Sequence, residues 1–468
     1  PEFCDRVVAT AQTDFYKAVA RLAKKFILLD AKILDEISLG EKNKASISVP
    51  KLDIDSGKGV LIKQEVILEE EMRTVKSSCC MCHGGCGILV QTKNGKVVKV
   101  EGDVNSPMSK GTMCAKGLAS RQLLYNPERI KYPMKRMGER GENRWVRISW
   151  DEAIHKIADK LNETKEKFGA EAVGLACGTA RSIVFKYVFR VGYSFGTPNT
   201  RIGTPHVCFS PRLTCGTLTF GRPIQYHAEE NSSCLLVVGG NFFHSNADQN
   251  LAKRLIDGLR KGAKLIVVDP AFSSMASKAH LWLQIRPGTD CALFLAMLNV
   301  IISEGIYDKD FVEKWTVGFD ELRKHVEEYT PEKVEKITWV SAEKIREAAR
   351  TYATSKPACL IPGVKLEQNI NTTNTIRAAW LLSAITGNVD VKGGNLFWES
   401  PLPEDLFKSF TRIDLIEQEK RKKSLGWFPL LYYPTADPQV WRATATGDPY
   451  PIRALLVNGG NPLVGHEN

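Results

Sequence analysis

From Trp150 onward, short apolar runs ending in glycine or aspartate alternate with amphipathic stretches, and few folds accommodate that alternation. The apolar runs Ala172–Gly178, Cys234–Gly239, Lys264–Val268, Ala358–Pro362 and Ile452–Val457 read as buried strands. Between them, Asp151–Phe168, opened by an aspartate cap, and Gln249–Lys261 carry helical spacing. Strands separated by helices pair in parallel, and the loops after the strand ends make ligand crevices. The expected class is therefore α/β with a mainly parallel sheet. At 468 residues the chain exceeds what one hydrophobic core supports, so more than one domain is expected.

Composition narrows the function. Hydrophobic residues at 43% and charged residues at 25% describe an ordinary globular chain, neither disordered nor multi-span. The longest apolar run, Cys291–Ile302, is bounded by Asp290 and Ser303 and falls short of the roughly 20 residues a bilayer span needs. A net charge of +11 points to a polyanion: nucleic acid, an acidic membrane or a large phosphorylated cofactor. The basic residues are scattered, with a modest cluster at Lys131–Arg147, and no nucleic-acid motif accompanies them. No export signal is visible, so a cytoplasmic location is expected. In residues 1–71, Val8, Phe15, Val19, Leu22, Phe26, Leu29 and Ile33 follow the spacing of one helix face, and Gly40–Gly59 reads as a polar linker.

The chemistry begins at Cys79-x2-Cys82-x3-Cys86-x27-Cys114. Three thiolates in a glycine-rich loop and a fourth from a distance can hold the four irons of a 4Fe-4S cluster, one cysteine per iron. Structural zinc favours two paired Cys-x2-Cys knuckles, and Cys114 has no such partner. Cys80 is the expected bystander. His83 reads equally as a hydrogen-bond donor to the cluster and as solvated filler.

These four cysteines, with Ala115-Lys116-Gly117, then Tyr125, Pro127, Arg129, Tyr132, Pro133 and the segment Trp145–Ala153, resemble the amino-terminal part of the large subunits of the prokaryotic molybdopterin oxidoreductases, the dimethyl sulfoxide reductase superfamily. The resemblance runs from about residue 72 to the end. It implies an iron-sulfur amino-terminal domain plus two interleaved doubly wound parallel-sheet domains. The corresponding boundaries are 1–71 for an extension outside the family pattern, 72–135 for the 4Fe-4S domain, 136–206 with 365–468 for the first pterin-dinucleotide domain, and 207–364 for the second. By position, Lys116 matches the lysine that carries electrons between cluster and pterin. Four glycine-rich segments, Val237–Asn246, Ile266–Leu293, Ile385–Asn395 and Leu455–Pro462, are similar to those that grip bis(molybdopterin guanine dinucleotide). They nominate Gly239, Gly240, Asn241, Asp269, Pro287, Gly288, Asp290, Gly387, Asn388, Gly393, Gly394, Gly459, Gly460 and Asn461 as cofactor contacts. Glycines after strands let backbone approach phosphate, and carboxylates can accept from guanine amino groups.

Molybdenum or tungsten held by dithiolene sulfurs suits one further soft protein ligand. In the thiolate-ligated branch of the family that cysteine precedes the Val237–Asn246 segment, and Cys208 matches best, with Cys215 the alternative and Ser210 third. His206 and Arg212 flank it as candidate proton donor and anion clamp, structural roles being open for both. The resemblance implies two-electron redox catalysis on a small substrate, with an iron-sulfur partner subunit exchanging single electrons and no membrane span or nucleic acid. The alternatives are a non-redox hydratase and a non-catalytic iron-sulfur electron-transfer subunit. Two departures bear on substrate. Phe209 follows Cys208 where the formate dehydrogenases have histidine, and His83 follows the second cluster cysteine where acetylene hydratase has aspartate. The family's large subunits continue well past the position of Asn468, which implies a fragment.

Overall fold

The computed structural model describes residues 48–52, 59–63, 72–82, 84–178, 184–203, 208–226, 229–245, 250–397, 409, 411–426 and 437–461. They fall in two compact units, residues up to 160 less 82–84, and residues 161–468 together with 82–84. The helix expected at Val8–Ile33 lies outside the described residues. Inside the expected linker lies β1 (Ser48–Leu52), which pairs antiparallel with β2 (Gly59–Lys63) beginning at the linker's last residue, so part of that stretch is strand. Its β-branched and aliphatic residues are few enough to be outweighed by polar neighbours when composition alone is read.

In the first unit, β3 (Met72–Ser78), β4 (Gly87–Lys93) and β5 (Lys96–Gly102) form an antiparallel meander. Ile88 and Val90 alternate inward along β4 and bury with Cys79 and Cys86 against Val97 and Val100. A short hairpin of β6 (Met134–Arg136) and β7 (Trp145–Arg147) follows. The next helix spans Trp150–Phe168, and its cap is Ser149, whose Oγ accepts the Glu152 N–H at 3.0 Å. The aspartate read as the cap, Asp151, lies two positions further in. There Asp151 and Glu152 face the positive end of the helix dipole, and Gly169, at φ 86°, stops the helix.

The second unit holds two parallel sheets. In one, β11 (Cys234–Val238) pairs with β12 (Lys264–Val268) and β14 (Ala358–Pro362), and β12 pairs with β13 (Leu281–Leu283), giving the order β13-β12-β11-β14. All five residues of β11 and of β14 are buried, as expected of strands covered on both faces. In the other, β8 (Val173–Cys177) lies between β9 (Thr200–Ile202) and β16 (Ala454–Asn458), so the chain returns to the first segment after building the intervening sheet. A two-stranded ribbon of β10 (Ile224–Tyr226) and β15 (Asn395–Phe397) completes the strands. The apolar run noted above is the centre of helix Asp290–Ser303, whose Leu293–Leu298 are all buried beside Trp380 and Tyr352. No helix among the described residues is long and apolar enough to cross a membrane. The α/β class and parallel sheets expected from the strand–helix alternation are those observed, whereas β9, β10, β13 and β15 have three residues each and leave no periodicity to read.

Candidate functional site

The cysteine loop starts where β3 ends. The Cys79 N–H donates to the Cys86 carbonyl at 2.8 Å, closing the loop at its base, and both cysteines are buried. Gly117 carries no side chain where a Cβ would stand 3.3 Å from Cys79 Sγ, so the segment just after Cys114 lies against the first cysteine. Within the loop, the Gly84 N–H donates to Cys82 Sγ at 3.3 Å, the kind of contact that tunes a cluster thiolate. All four cysteines are free of disulfides. Among the described residues no three His, Cys, Asp or Glu side chains converge on one metal ion; a cubane asks instead for one thiolate at each iron corner. This soft donor set, with buried Ile88 and Val90 beside it, fits a 4Fe-4S cluster. Cys80 is exposed and directs its thiol to the Ser78 carbonyl. His83 lies outside the described residues, and Lys116 stands exposed on the short helix Ala115–Leu118.

In the sheet β13-β12-β11-β14, strand order reverses between β11 and β14, and crevices open at such points beyond the carboxyl ends. Gly239 follows β11 and Gly363 follows β14. The Gly363 N–H donates to the Val238 carbonyl at 2.7 Å, and a Cβ on Gly363 would overlap the Gly239 carbonyl. Gly240 and Asn241 continue this edge, with Asn241 Oδ1 accepting from Ser274 Oγ at 2.9 Å. After β12, Asp269 is buried and accepts the Ala271 N–H at 2.9 Å. The Pro287-Gly288 turn leads into Asp290 at the start of its helix; burial pushes the Asp290 carboxyl above its usual range, its own backbone N–H opposes, and the Asp269 charge adds to the rise. Gly363→Ala should lower stability by about 1–3 kcal/mol, the usual cost of overpacking, and strip the protein of pterin. Thermal denaturation and pterin analysis would read both effects.

The second sheet repeats the device. Gly178 follows β8 and Gly459-Gly460-Asn461 follow β16; the Gly178 N–H donates to the Asn458 carbonyl at 3.0 Å, and a Cβ on Gly178 would overlap the Gly459 carbonyl. Gly203 ends β9, five residues before Cys208.

The expected contacts do not all gather here. Asn388 Oδ1 accepts the Ala358 N–H at 2.9 Å and Asn388 Nδ2 donates to Thr386 Oγ1 at 2.7 Å. The Gly393 carbonyl accepts from Ser232 Oγ at 2.6 Å, and Gly394 packs on the Asn388 carbonyl. Ser232 and Ala358 stand where β11 and β14 begin, so Gly387, Asn388, Gly393 and Gly394 sit at the amino ends of the strands, opposite the crevice, and tie the sheet together.

Cys208 lies two residues before helix Ser210–Phe220, with Phe209 between them. The Ser210 N–H donates to the Cys208 carbonyl at 2.9 Å across Phe209, whose φ of 74° and ψ of −45° close a tight γ-turn that a bulky residue seldom adopts. The buried carboxylate of Glu367, at the end of the 3-10 turn Val364–Glu367 after β14, accepts both the Phe209 N–H and Arg212 Nε. Arg212 also donates through Nη1 to Tyr226 Oη at 3.0 Å. Its guanidinium is thus engaged in holding the turn rather than set out as an anion clamp. Ser210 Oγ is buried with no hydrogen-bond partner among the described residues. Cys215 packs in the core, its thiol toward the Thr373 carbonyl and pushed up to about 11 by burial. His206 lies outside the described residues. Sequence reading missed Glu367 and Tyr226, which nothing local distinguishes, and Gly178 and Gly363, whose position directly after an apolar run was a usable signal.

A cysteine-rich module preceding two parallel sheets with glycine-edged crevices defines a redox-cofactor protein of the dinucleotide-binding α/β class. Residues 72–126 match the molybdopterin oxidoreductase Fe4S4 domain and residues 129–412 match molybdopterin oxidoreductase. The chain belongs to the molybdopterin oxidoreductase family, and with it come a molybdopterin cofactor and a 4Fe-4S cluster. It is 32% identical over 427 residues to acetylene hydratase of Syntrophotalea acetylenica, covering 83% of this chain and 57% of that protein. To the thiosulfate reductase molybdopterin-containing subunit of Salmonella typhimurium it is 33% identical over 409 residues, covering 83% and 52%. The solved structure of acetylene hydratase from Pelobacter acetylenicus matches with a TM-score of 0.75 at 31% identity, over 84% of this chain and 58% of that one. The chain thus spans little more than half the length of these relatives.

Proposed function

We propose that this chain is the catalytic part of a molybdenum or tungsten enzyme that performs two-electron redox chemistry on a small substrate. The single observation that carries the reading is the Cys208 turn, pinned by Glu367 beside the switch point of a parallel sheet. The fit of the pterin rests on the glycine edges of the two crevices, where the loops after neighbouring strands pack backbone on backbone with no room for a Cβ, Gly363 on Gly239 and Gly178 on Gly459. When bound, the metal exchanges electrons in pairs and the cluster passes them on singly.

The protein's own residues have separable tasks. Cys208 supplies the thiolate ligand. Gly239, Gly240, Asn241, Gly459, Gly460 and Asn461 line the approach for two guanine dinucleotide moieties, Pro287 and Gly288 shape the neighbouring turn, and Asp269 with Asp290 offers carboxylates to the guanine donors. The net charge of +11 favours the several phosphates these bring. Cys79, Cys82, Cys86 and Cys114 hold the cluster, Lys116 relays electrons between cluster and pterin, and His206 delivers protons. A separate iron-sulfur subunit is the proposed electron partner. The proposed domains are those of the sequence reading, 72–135, 136–206 with 365–468, and 207–364; the return of β16 to β8 supports the discontinuous one.

The likeness to acetylene hydratase favours a second reading, hydration without net electron transfer. His83, where that enzyme carries aspartate, weighs against it. Elemental analysis and low-temperature EPR on anaerobically purified protein should find molybdenum or tungsten with iron, and turnover of small sulfur-oxide and related candidate substrates should stop when the electron donor or acceptor is withheld. Persistence of turnover without one would install the hydratase reading, and absence of both metals would end the enzyme reading.

A further inference from the structure

We propose that Glu367 is a positioning residue for the metal ligand: its carboxylate, buttressed by Arg212, holds the Cys208-Phe209-Ser210 turn in the conformation from which Cys208 binds the metal. The proposal rests on the reading of Cys208 as the ligand.

The turn does not hold itself. Phe209 lies at φ 74°, a region that favours glycine, and its short-range hydrogen bond from the Ser210 N–H to the Cys208 carbonyl is the weak i to i+2 kind. Such a conformation persists where the surroundings over-determine it. Glu367 does this from both sides of the turn. One carboxylate oxygen takes the Phe209 N–H, which the turn leaves without a backbone partner on its own segment, and the other takes Arg212 Nε from the first turn of the following helix. Arg212 is fixed in turn by Tyr226 Oη at 3.0 Å. The side chains of Glu367 and Arg212 are 0% and 5% exposed, so these are charge-assisted hydrogen bonds out of water, strong when complete and costly when half-removed. Glu367 also comes from the 3-10 turn that continues β14 past Gly363. The same short segment therefore forms one wall of the crevice and sets the turn that carries the cysteine. An ion pair serving only stability has no need to end on the amide next to a metal ligand.

Glu367→Gln keeps the volume and one acceptor but removes the charge that binds Phe209 N–H and Arg212 together. In the full-length holoenzyme this variant should keep its far-UV circular dichroism, pterin content and 4Fe-4S EPR signal. The metal's own EPR signal and its X-ray absorption fine structure should change, and kcat should fall roughly 10–100-fold, as for loss of a group that orients a metal ligand, with KM within about twofold. Glu367→Asp, too short to span both partners, should lie between. Should Glu367→Gln fail to fold, the double variant Glu367→Gln with Arg212→Gln leaves no unpaired buried charge and should show the same altered metal signal. A metal signal indistinguishable from wild type in whichever of these folds overturns the proposal. Cys208→Ala separates the two levels: if it leaves the metal signal unchanged, the ligand assignment fails; if it alters the signal and the Glu367 variants do not, only the positioning role fails.

Discussion

Replacing Cys208 with alanine is expected to abolish turnover while leaving the cluster's low-temperature EPR signal at wild-type intensity. The metal bound by dithiolene sulfurs is soft, and an oxygen or nitrogen donor is a poor substitute for a thiolate there. Cys215, the alternative, is not placed to step in. Cys215 is seven residues on in sequence, but it faces the core from helix Ser210–Phe220, its thiol pushed up to about 11 by burial and opposed mainly by Arg377. Bringing it round would require unwinding the helix that Arg212 anchors. The loss should exceed the roughly 10–100-fold seen when only an orienting neighbour is removed, because the donor itself is gone. Cys208→Ser should retain metal at reduced occupancy with a shifted metal signal, and Cys215→Ala should cost stability without touching it. Activity retained in Cys208→Ala, measured against metal content per chain, would move the ligand to Cys215 or elsewhere.

What could be read from the sequence divides along physical lines. The strands β11, β12 and β14 were legible because parallel strands covered on both faces are near-continuously apolar, and Cys234–Val238, Ala358–Pro362 and, after the exposed Lys264, Leu265–Val268 are such runs. Cysteine spacing was legible for a similar reason: one thiolate per iron from a tight loop leaves a local signature. The Gly387–Gly394 turn shows the opposite case. A glycine pair reports that backbone comes close to something, and only the topology tells which end of the sheet it serves; here it meets Asn231, Ser232 and Pro357 at the amino end. Glu367 was invisible because its partners lie more than 150 residues away and a lone glutamate after a strand has no pattern. Helix starts slipped by a residue because serine and aspartate both cap, and the choice of Ser149 over Asp151 is settled by which side chain reaches an unpaired N–H.

Cys86→Ala should remove the 4Fe-4S cluster and, with it, the order of the module that carries it. Cys86 is 7% exposed just before β4, its carbonyl accepting the Cys79 N–H, so the proposed ligand is also a joint between β3 and β4. The apolar set around it is small: Cys79, Ile88 and Val90, with partly buried Met81, Val97, Val100 and Met113. A core of that size supplies little by burial alone, and metal binding then becomes a large part of what folds the module. Iron content and the cluster EPR signal should fall to background, and limited proteolysis should cut within 72–126 far faster than in wild type. The sheets of the second unit draw on much larger cores around Leu236 and Leu265 and should keep their far-UV signal. Cys80→Ala is the matched control. Cys80 is exposed with its thiol on the Ser78 carbonyl, so its loss should leave iron content unchanged. Stoichiometric zinc in place of iron in the wild-type protein, or an undiminished cluster signal in Cys86→Ala, would show that these four sulfurs do not share a cubane. The electron path proposed through Lys116 would then lose its starting point.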